Sequence, residues 1–154
     1  MQGSLDRISI AVRMALPSDA ATLASIHARS FARAWDEAAM AQFLGVPGVL
    51  ALIASTESEG PAQGFLIARA ASDEAEILTL CVLPTHRRQG LARALLAKAA
   101  AGLRRAGGRC LFLEVEAGNE AALQLYRSLG AVPIGRRPGY YEHGADAAMF
   151  SLAL

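Results

Sequence analysis

A cationic, glycine-containing loop runs directly into a helical segment in the stretch HRRQGLARALL, residues 86–96. The first N–H groups of a helix have no intrahelical acceptor and the helix dipole is positive at that end, so a helix start can bind an anion. Gly90 and the small Ala92 would let a ligand approach the backbone closely. Positive charge is added by Arg87, Arg88 and Arg93. The segment is therefore a candidate phosphate-binding loop, and the alternative is a solvated helix start.

A second set of reactive side chains lies in LEVEAGNEAALQLYRSLGA, residues 113–131. Strand alternation places Glu114 and Glu116 on one face, opposite the apolar positions of the strand. Glu114 is either a general base or a carboxylate at the rim of a half-exposed strand. Tyr126 could donate a proton, although an aromatic residue in an apolar helical stripe is usually part of a core. Asn119 is placed to cap the following helix.

Composition predicts one globular domain over residues 1–154. The chain is 53% hydrophobic and 19% charged, which excludes an intrinsically disordered protein and suits a single core at this length. No apolar run approaches the ~18 residues needed to cross a membrane, and the N-terminal stretch lacks the pattern of a secretory signal. The two cysteines, Cys81 and Cys110, lie in apolar runs, as expected for reduced thiols in a cytoplasmic protein.

Charge and metal-ligand patterns argue against further classes. The formal net charge of +1 gives no overall attraction to nucleic acid, although the cations are nearly all arginines and Lys98 is the only lysine. The three histidines are scattered, without metal-site spacing among themselves or with the cysteines. We therefore expect no direct nucleic-acid binding, no membrane association and no metal.

The hydrophobic periodicity predicts an α/β (α+β) domain with the element order β-α-α-β-β-β-α-β-α-β-β. Strands are predicted at residues 8–14, 49–54, 64–70, 75–83, 110–116, 132–136 and 147–154. Helices are predicted at residues 19–33, 36–44, 89–105 and 120–129. This order implies a single mixed, mostly antiparallel sheet with a central β-α-β unit, and that unit carries the candidate phosphate-binding loop.

Two motifs in this order resemble the GNAT N-acetyltransferase superfamily. Arg87-x-x-Gly90-x-Ala92, behind a strand, is similar to its acyl-CoA signature, Gln/Arg-x-x-Gly-x-Gly/Ala. LEVEAGNEAALQLYRSLGA is similar to the superfamily's next segment, a strand, an Asn turn and a helix bearing a tyrosine. The element order also matches, so the resemblance spans nearly the whole chain. It implies a GNAT fold whose β-α-β unit binds acetyl-CoA as cosubstrate, with no metal.

Three stretches resemble more narrowly the ribosomal-protein-alanine N-acetyltransferases, the RimI family. They are FARAWDE at residues 31–37, LEVEAGNEAALQLYRSLGA, and RRPGYY at residues 136–141 with Asp146. Those enzymes acetylate the N-terminal alanine of a small-subunit ribosomal protein, so the resemblance implies a ribosomal protein N-terminus as acceptor. The chain departs from the family at Ala34, where proline is common, at Ala92, which replaces a glycine, and at Glu116 and Gly118, where Arg and Ser are frequent. Glu116 bears on the choice of acceptor.

The resemblance also implies a role for each site residue. The pyrophosphate would lie on the loop and the pantetheine against the strand before it, with a splay between this strand and residues 110–116. The implied cofactor-binding residues are Leu80, Cys81, Val82, Arg87, Arg88, Gln89, Gly90, Leu91, Ala92, Arg93 and Asn119. Glu114 would be the general base and Tyr126 the general acid, with the Val82 N–H as oxyanion donor. The implied acceptor-binding residues are Trp35, Glu116, Tyr140 and Tyr141.

An α-amine acceptor suits this residue set better than a lysine. An α-amine titrates near ~8 and a lysine near ~10.4, so more of the α-amine is neutral at pH 7 and a modest carboxylate base suits it better. The alternatives are a GNAT enzyme that acetylates a small amine or a protein lysine, and a non-catalytic acyl-CoA-binding module. We predict direct acetyl transfer from acetyl-CoA to an N-terminal alanine.

Overall fold

The computed structural model describes residues 9–141 and 143–154, in which seven strands form one sheet of order β1-β2-β3-β4-β5-β7-β6. The strands are β1 (Ala11–Met14), β2 (Val49–Ser55), β3 (Gly64–Ala71), β4 (Glu74–Val82), β5 (Cys110–Glu116), β6 (Val132–Arg137) and β7 (Ala147–Ala153). The helices are α1 (Ala20–Ala28), α2 (Glu37–Leu44), α3 (Leu91–Arg105) and α4 (Glu120–Ser128). The predicted element order is confirmed, and residue 8 of the first predicted strand lies outside the described residues.

The sheet is antiparallel except at its centre. β4 and β5 run parallel, because α3 returns the chain to the edge of the sheet at which β4 began. All other neighbouring strands pair antiparallel. The predicted mixed, mostly antiparallel sheet with a central β-α-β unit is therefore confirmed.

Each face of the sheet carries its own apolar cluster. On the α3/α4 face the fully buried leucines of α3 pack with alternate residues of β5, among them Leu111 and Leu113. On the other face, Leu23 of α1 and Met40 of α2 pack on Phe65 of β3. Because side chains alternate between the two faces along each strand, the sheet separates these two apolar clusters.

Two helix boundaries differ from the predictions by more than one residue. The first helix ends at Ala28 rather than residue 33, because the chain folds back so that the Trp35 N–H donates to His27 Nδ1 (3.1 Å), a contact that a continuous helix could not make. The third helix begins at Leu91 rather than residue 89, because Gly90 takes the left-handed conformation (φ 88°) that interrupts a helix. In the described part of the chain, no helix is long and apolar enough to cross a bilayer.

Candidate active site between β4 and β5

The parallel strands β4 and β5 pair over only three residue positions. The last matched pair is Glu76 with Phe112. Just beyond it the register between β3 and β4 shifts, so that Leu78 is an extra residue on β4 between Ile77 and Thr79. A bulge of this kind bends its strand. From there β4 and β5 have no further matched pairs, and this gap is the splay that the resemblance implies.

Backbone groups of β4 face the gap at alternate residues. The Leu83 N–H donates to the Gln63 carbonyl (2.8 Å) on the β3 side, which sets the phase of the ladder. Two residues back, the amide groups of Cys81 also pair with β3, whereas those of Leu80 and Val82 point into the gap. The Cys81 side chain is 2% exposed and lies on the α1/α2 face. The backbone groups and side chain of Cys81 therefore point away from the gap, whereas Leu80 and Val82 direct backbone groups into it.

The opposite edge of the gap is formed by Glu114 and Glu116. The Ala117 N–H donates to the Asp146 carbonyl (2.8 Å) on the β7 side, so the odd-numbered residues of β5 pair with β7. The even-numbered Glu114 and Glu116 direct their amide groups toward β4. Both side chains are partly exposed on the face opposite Leu113, as the alternation predicts.

The loop before α3 presents a run of unbonded N–H groups at the end of β4. Two of its residues have positive φ angles, Arg88 (64°) and Gly90 (88°). Within residues 9–141 and 143–154, no acceptor is found for the backbone N–H groups of Gln89, Gly90, Leu91, Ala92 and Arg93. Successive N–H groups in such a turn, continued by a helix start, form an anion-binding concavity.

Two arginine side chains of this loop bond to the protein itself. Arg93 donates through Nη2 to the Ser128 hydroxyl and so ties the first turn of α3 to the last residue of α4. Arg87 Nε lies 3.4 Å from the Val82 carbonyl. These contacts engage the Arg93 guanidinium and the Nε of Arg87, whereas the exposed Arg88 side chain has no such contact among the described residues; the continuous run of free donors in the loop is its backbone.

Tyr126 lies in the apolar cluster on the α3/α4 face of the sheet. It is 5% exposed and packs edge to face with Phe150, with the ring centroids 5.9 Å apart. Burial raises the pKa of Tyr126 to about 12, with a smaller effect from the neighbouring Tyr141. The phenol is therefore protonated at neutral pH, as a proton donor must be, and its ring also fills the core, as the structural alternative holds.

The loop between β6 and β7 folds over the acidic edge of the gap. Burial and the charge of Glu114, with smaller contributions from Tyr140 and Glu116, raise the pKa of Tyr141 to about 12. The His143 ring stacks on Tyr141 with centroids 5.9 Å apart, and His143 Nε2 lies 3.2 Å from Glu116 Oε1. Sequence reasoning assigned no role to His143, because nothing in the local pattern indicates a contact from this loop to β5.

The aromatic residues predicted to flank the acceptor fall into two groups. Tyr140 and Tyr141 pack edge to face with centroids 5.2 Å apart. Trp35 instead stacks between His27 (4.8 Å) and Phe43 (4.4 Å), in a cluster between α1 and α2. Among the ring contacts of the described residues, none joins Trp35 to the tyrosines. Its observed contacts support the α1–α2 connection.

His27 organises that aromatic cluster. It is 3% exposed, and burial lowers the pKa of His27. Because Nδ1 accepts the Trp35 N–H, the ring is neutral and carries its proton on Nε2.

Two remaining predictions concern Asn119 and metals. The Asn119 side chain accepts the Ala122 N–H (3.2 Å), which confirms its role as the N-cap of α4. Over residues 9–141 and 143–154, no group of three or more His, Cys, Asp or Glu side chains is arranged to hold a metal ion.

The chain belongs to the acetyltransferase (GNAT) family, whose model matches residues 20–131. It is similar to the [ribosomal protein bS18]-alanine N-acetyltransferase of Escherichia coli K12, with 42% identity over 82 residues, which are 53% of this chain and 55% of that protein. The matched segment thus spans about half the length of that relative. The Salmonella typhimurium enzyme of the same name is 34% identical to this chain over 116 residues, which are 75% of this chain and 76% of that enzyme.

The fold agrees with this relationship. The crystal structure of the ribosomal-protein-S18-alanine N-acetyltransferase from Escherichia coli superposes with a TM-score of 0.84 at 31% identity, over 94% of this chain and 93% of that one. The predicted membership of the GNAT superfamily, with its closer resemblance to these alanine acetyltransferases, is therefore confirmed.

Proposed function

We propose that this protein transfers the acetyl group of acetyl-CoA to the N-terminal alanine amine of a ribosomal protein. The observation that carries the proposal is the gap between β4 and β5, which has free backbone groups on one edge and Glu114 on the other. Family membership supports acetyl transfer, and the named activity of the relatives supports the acceptor. Such an acceptor would place the reaction in the cytoplasm.

Acetyl-CoA would bind through backbone groups on the β4 side. The free N–H groups of residues 89–93 suit the pyrophosphate, since backbone donors at a helix start bind anions without a charged side chain. The amide groups of Leu80 would pair with the pantetheine amides as an added strand does, which leaves the Val82 N–H for the thioester. The Val82 N–H would then donate to the thioester oxygen and stabilise the oxyanion.

The acceptor amine would reach the thioester from the side of Glu114. A nitrogen–carbon bond forms, the carbon–sulfur bond breaks, and the amine proton passes through a water to Glu114. The departing thiolate takes a proton from Tyr126, which is protonated at neutral pH, and the phenolate so formed regains a proton from water. Because the amine attacks directly, no covalent enzyme intermediate is needed, and the buried Cys81 has no role as nucleophile.

Acetylation of a peptide panel tests the proposal. Purified protein and acetyl-CoA are incubated with peptides that begin with alanine, with N-terminally blocked lysine peptides and with polyamines, and the products are read by mass spectrometry. We expect turnover on the alanine peptides, and on one ribosomal protein when small-subunit proteins replace the panel. Turnover on polyamines or lysine peptides alone would reject the proposed acceptor.

The residue assignments are tested by substitution at the gap. We expect Glu114→Gln to lower kcat by about 10- to 100-fold, at or below the lower end of the ~10²- to 10⁴-fold that a general base contributes, because an α-amine needs only a modest base. Glu59→Gln, at an exposed carboxylate in the β2–β3 loop, is the control for charge alone and should retain the parent rate. A Glu114→Gln, Tyr126→Phe double variant that binds CoA and turns over at the parent rate would refute the catalytic roles.

A further inference from the structure

We propose that Glu116, held by His143, selects acceptors that carry a lysine or arginine directly after the residue bearing the amine. The inference rests on the proposed function, because it specifies which N-termini the same site accepts. It assigns a ligand class to a carboxylate that takes no part in the chemistry, and identifies His143 as the partner that the ligand's cation displaces.

The position of Glu116 fits the second residue of an acceptor. Glu114 and Glu116 occupy alternate positions on one face of β5, so their backbone positions are about 7 Å apart. Consecutive Cα atoms of a peptide are ~3.8 Å apart, and an arginine or lysine side chain adds several ångströms of reach. When the amine is at Glu114, the next side chain is therefore within reach of the Glu116 carboxylate.

Glu116 has no permanent cation beside it among the described residues. Its ion-pair partner is the His143 imidazole at 3.2 Å, and both side chains are substantially exposed, 44% for Glu116 and 62% for His143. An imidazole is a weaker partner than a guanidinium or an ammonium, which keep their charge throughout the physiological range. A cation arriving from solvent can therefore displace His143 without breaking a buried contact.

The nearby arginines are already engaged elsewhere. Arg136 pairs with Asp146 at 3.6 Å, and the Arg137 guanidinium lies over the Tyr140 ring, 5.5 Å from its centroid. Among the described residues, the groups that interact with Glu116 are Tyr141 and His143, and Glu114 lies on the same face of β5; with a neutral imidazole this set carries excess negative charge.

The aromatic wall of the entrance also suits a cation. Tyr141 interacts with the charges of both glutamates and stacks on His143. The Arg137–Tyr140 contact demonstrates that this loop accommodates a guanidinium over a tyrosine ring. A lysine or arginine side chain between Glu116 and Tyr141 would gain both a carboxylate and a ring face.

The test uses three peptides that differ at the second residue only, Ala-Arg, Ala-Gln and Ala-Glu, with a common remainder. We expect kcat/KM for Ala-Arg to exceed that for Ala-Gln by about fivefold and that for Ala-Glu by at least ~10-fold, as exposed charge pairs allow. Glu116→Gln should bring the three values within about twofold, mainly through KM, whereas Glu59→Gln should leave the preference intact. His143→Ala should preserve or increase it.

Equal kcat/KM values for the three peptides in the parent protein would overturn the proposal. A preference that survives Glu116→Gln, or that disappears in His143→Ala, would also overturn it. Turnover of Ala-Gln reports on the proposed function independently of charge. If no alanine peptide turns over, calorimetric affinities of the same peptides for the CoA-bound protein still measure the preference, and equal or undetectable binding counts against it.

Discussion

The loop before α3 and the loop between β6 and β7 approach the same gap and offer it different chemical groups. The first presents backbone N–H groups in a conformation fixed by positive φ angles at Arg88 and Gly90. The second presents side chains, with Tyr141 and His143 against the carboxylates of β5. A backbone site depends on conformation and tolerates side-chain change, whereas a side-chain site depends on residue identity. Side-chain substitutions in the loop before α3, the proposed acetyl-CoA side, should therefore change function little. Substitutions in the loop between β6 and β7, the proposed acceptor side, should change which acceptors are used.

The largest effect should come from removing the proposed proton donor. We expect Tyr126→Phe to lower kcat by about 100-fold, with the KM for acetyl-CoA within about twofold of the parent value. In the parent protein, the pKa of about 12 predicts no alkaline loss of kcat due to Tyr126 up to pH 10. Steady-state kinetics across pH 6–10 measure both. An equal rate in the variant would remove Tyr126 from the mechanism and leave it as core packing.

A substitution that changes only backbone conformation should damage the cofactor side next most. Gly90→Val places a branched side chain at φ 88°, where L-residues are strained by ~1–2 kcal/mol. The strain is conformational and not a clash, because an added Cβ would lie at an ordinary contact distance of 3.5 Å from Ile10 Cδ1. We expect the KM for acetyl-CoA to rise by about 10-fold or more, with little change in kcat. Gly107→Val is the matched control, because it imposes similar strain (φ 95°) at the other end of α3. An equal KM effect in both variants would contradict a local role.

Removing a side chain from the same loop should have a smaller effect. Arg87 is exposed and already contacts the Val82 carbonyl, so Arg87→Ala should raise the KM for acetyl-CoA by about fivefold at most. The comparison with Gly90→Val is the decisive measurement. If Arg87→Ala is the more harmful of the two, the cofactor side depends on charge rather than on backbone donors.

The smallest effect concerns stability rather than turnover, and it arises at His27. Burial lowers the pKa of His27, so at mildly acidic pH the unfolded chain binds a proton at His27 that the folded chain does not bind. Stability therefore falls as pH drops below ~6.5, the histidine pKa in the unfolded chain. His27→Phe should remove up to ~1 kcal/mol of the stability loss between pH 6.5 and 5.5. Urea unfolding at both values measures it, with His86→Gln as control. An unchanged pH dependence in His27→Phe would show that His27 does not govern it.

The elements were predictable where a local pattern dominates. The alternation of β5 placed both glutamates on one face, and Asn119 was recognisable as a cap. The last residue of α1 and the first residue of α3 were not predictable. A contact between residues eight apart in sequence ends α1, and a glycine in the left-handed conformation precedes α3. Tertiary contacts decide such boundaries.

The candidate site was predictable in its motifs but not in its contacts. The gap between β4 and β5 begins next to a bulge at Leu78, and no residue type in the sequence indicates that bulge. The bonds from Arg93 to Ser128 and from His143 to Glu116 join residues that are far apart in sequence. The stacking of Trp35 on His27 similarly required the helix α1 to end early. Each of these features follows from chain packing rather than from local spacing.

The alternation of β5 gives the gap a gradient of polarity across the thickness of the sheet. One side is backed by the continuous apolar layer that contains Leu113 and Tyr126, and the other opens on Glu114 and Glu116. An uncharged thioester is favoured on the low-dielectric side, whereas an amine that must lose a proton is favoured on the hydrated, anionic side. In the proposed reaction the two sides of the gap would thereby sort the reactants by solvation before they meet, and the boundary between the two media would be the plane in which the new bond forms.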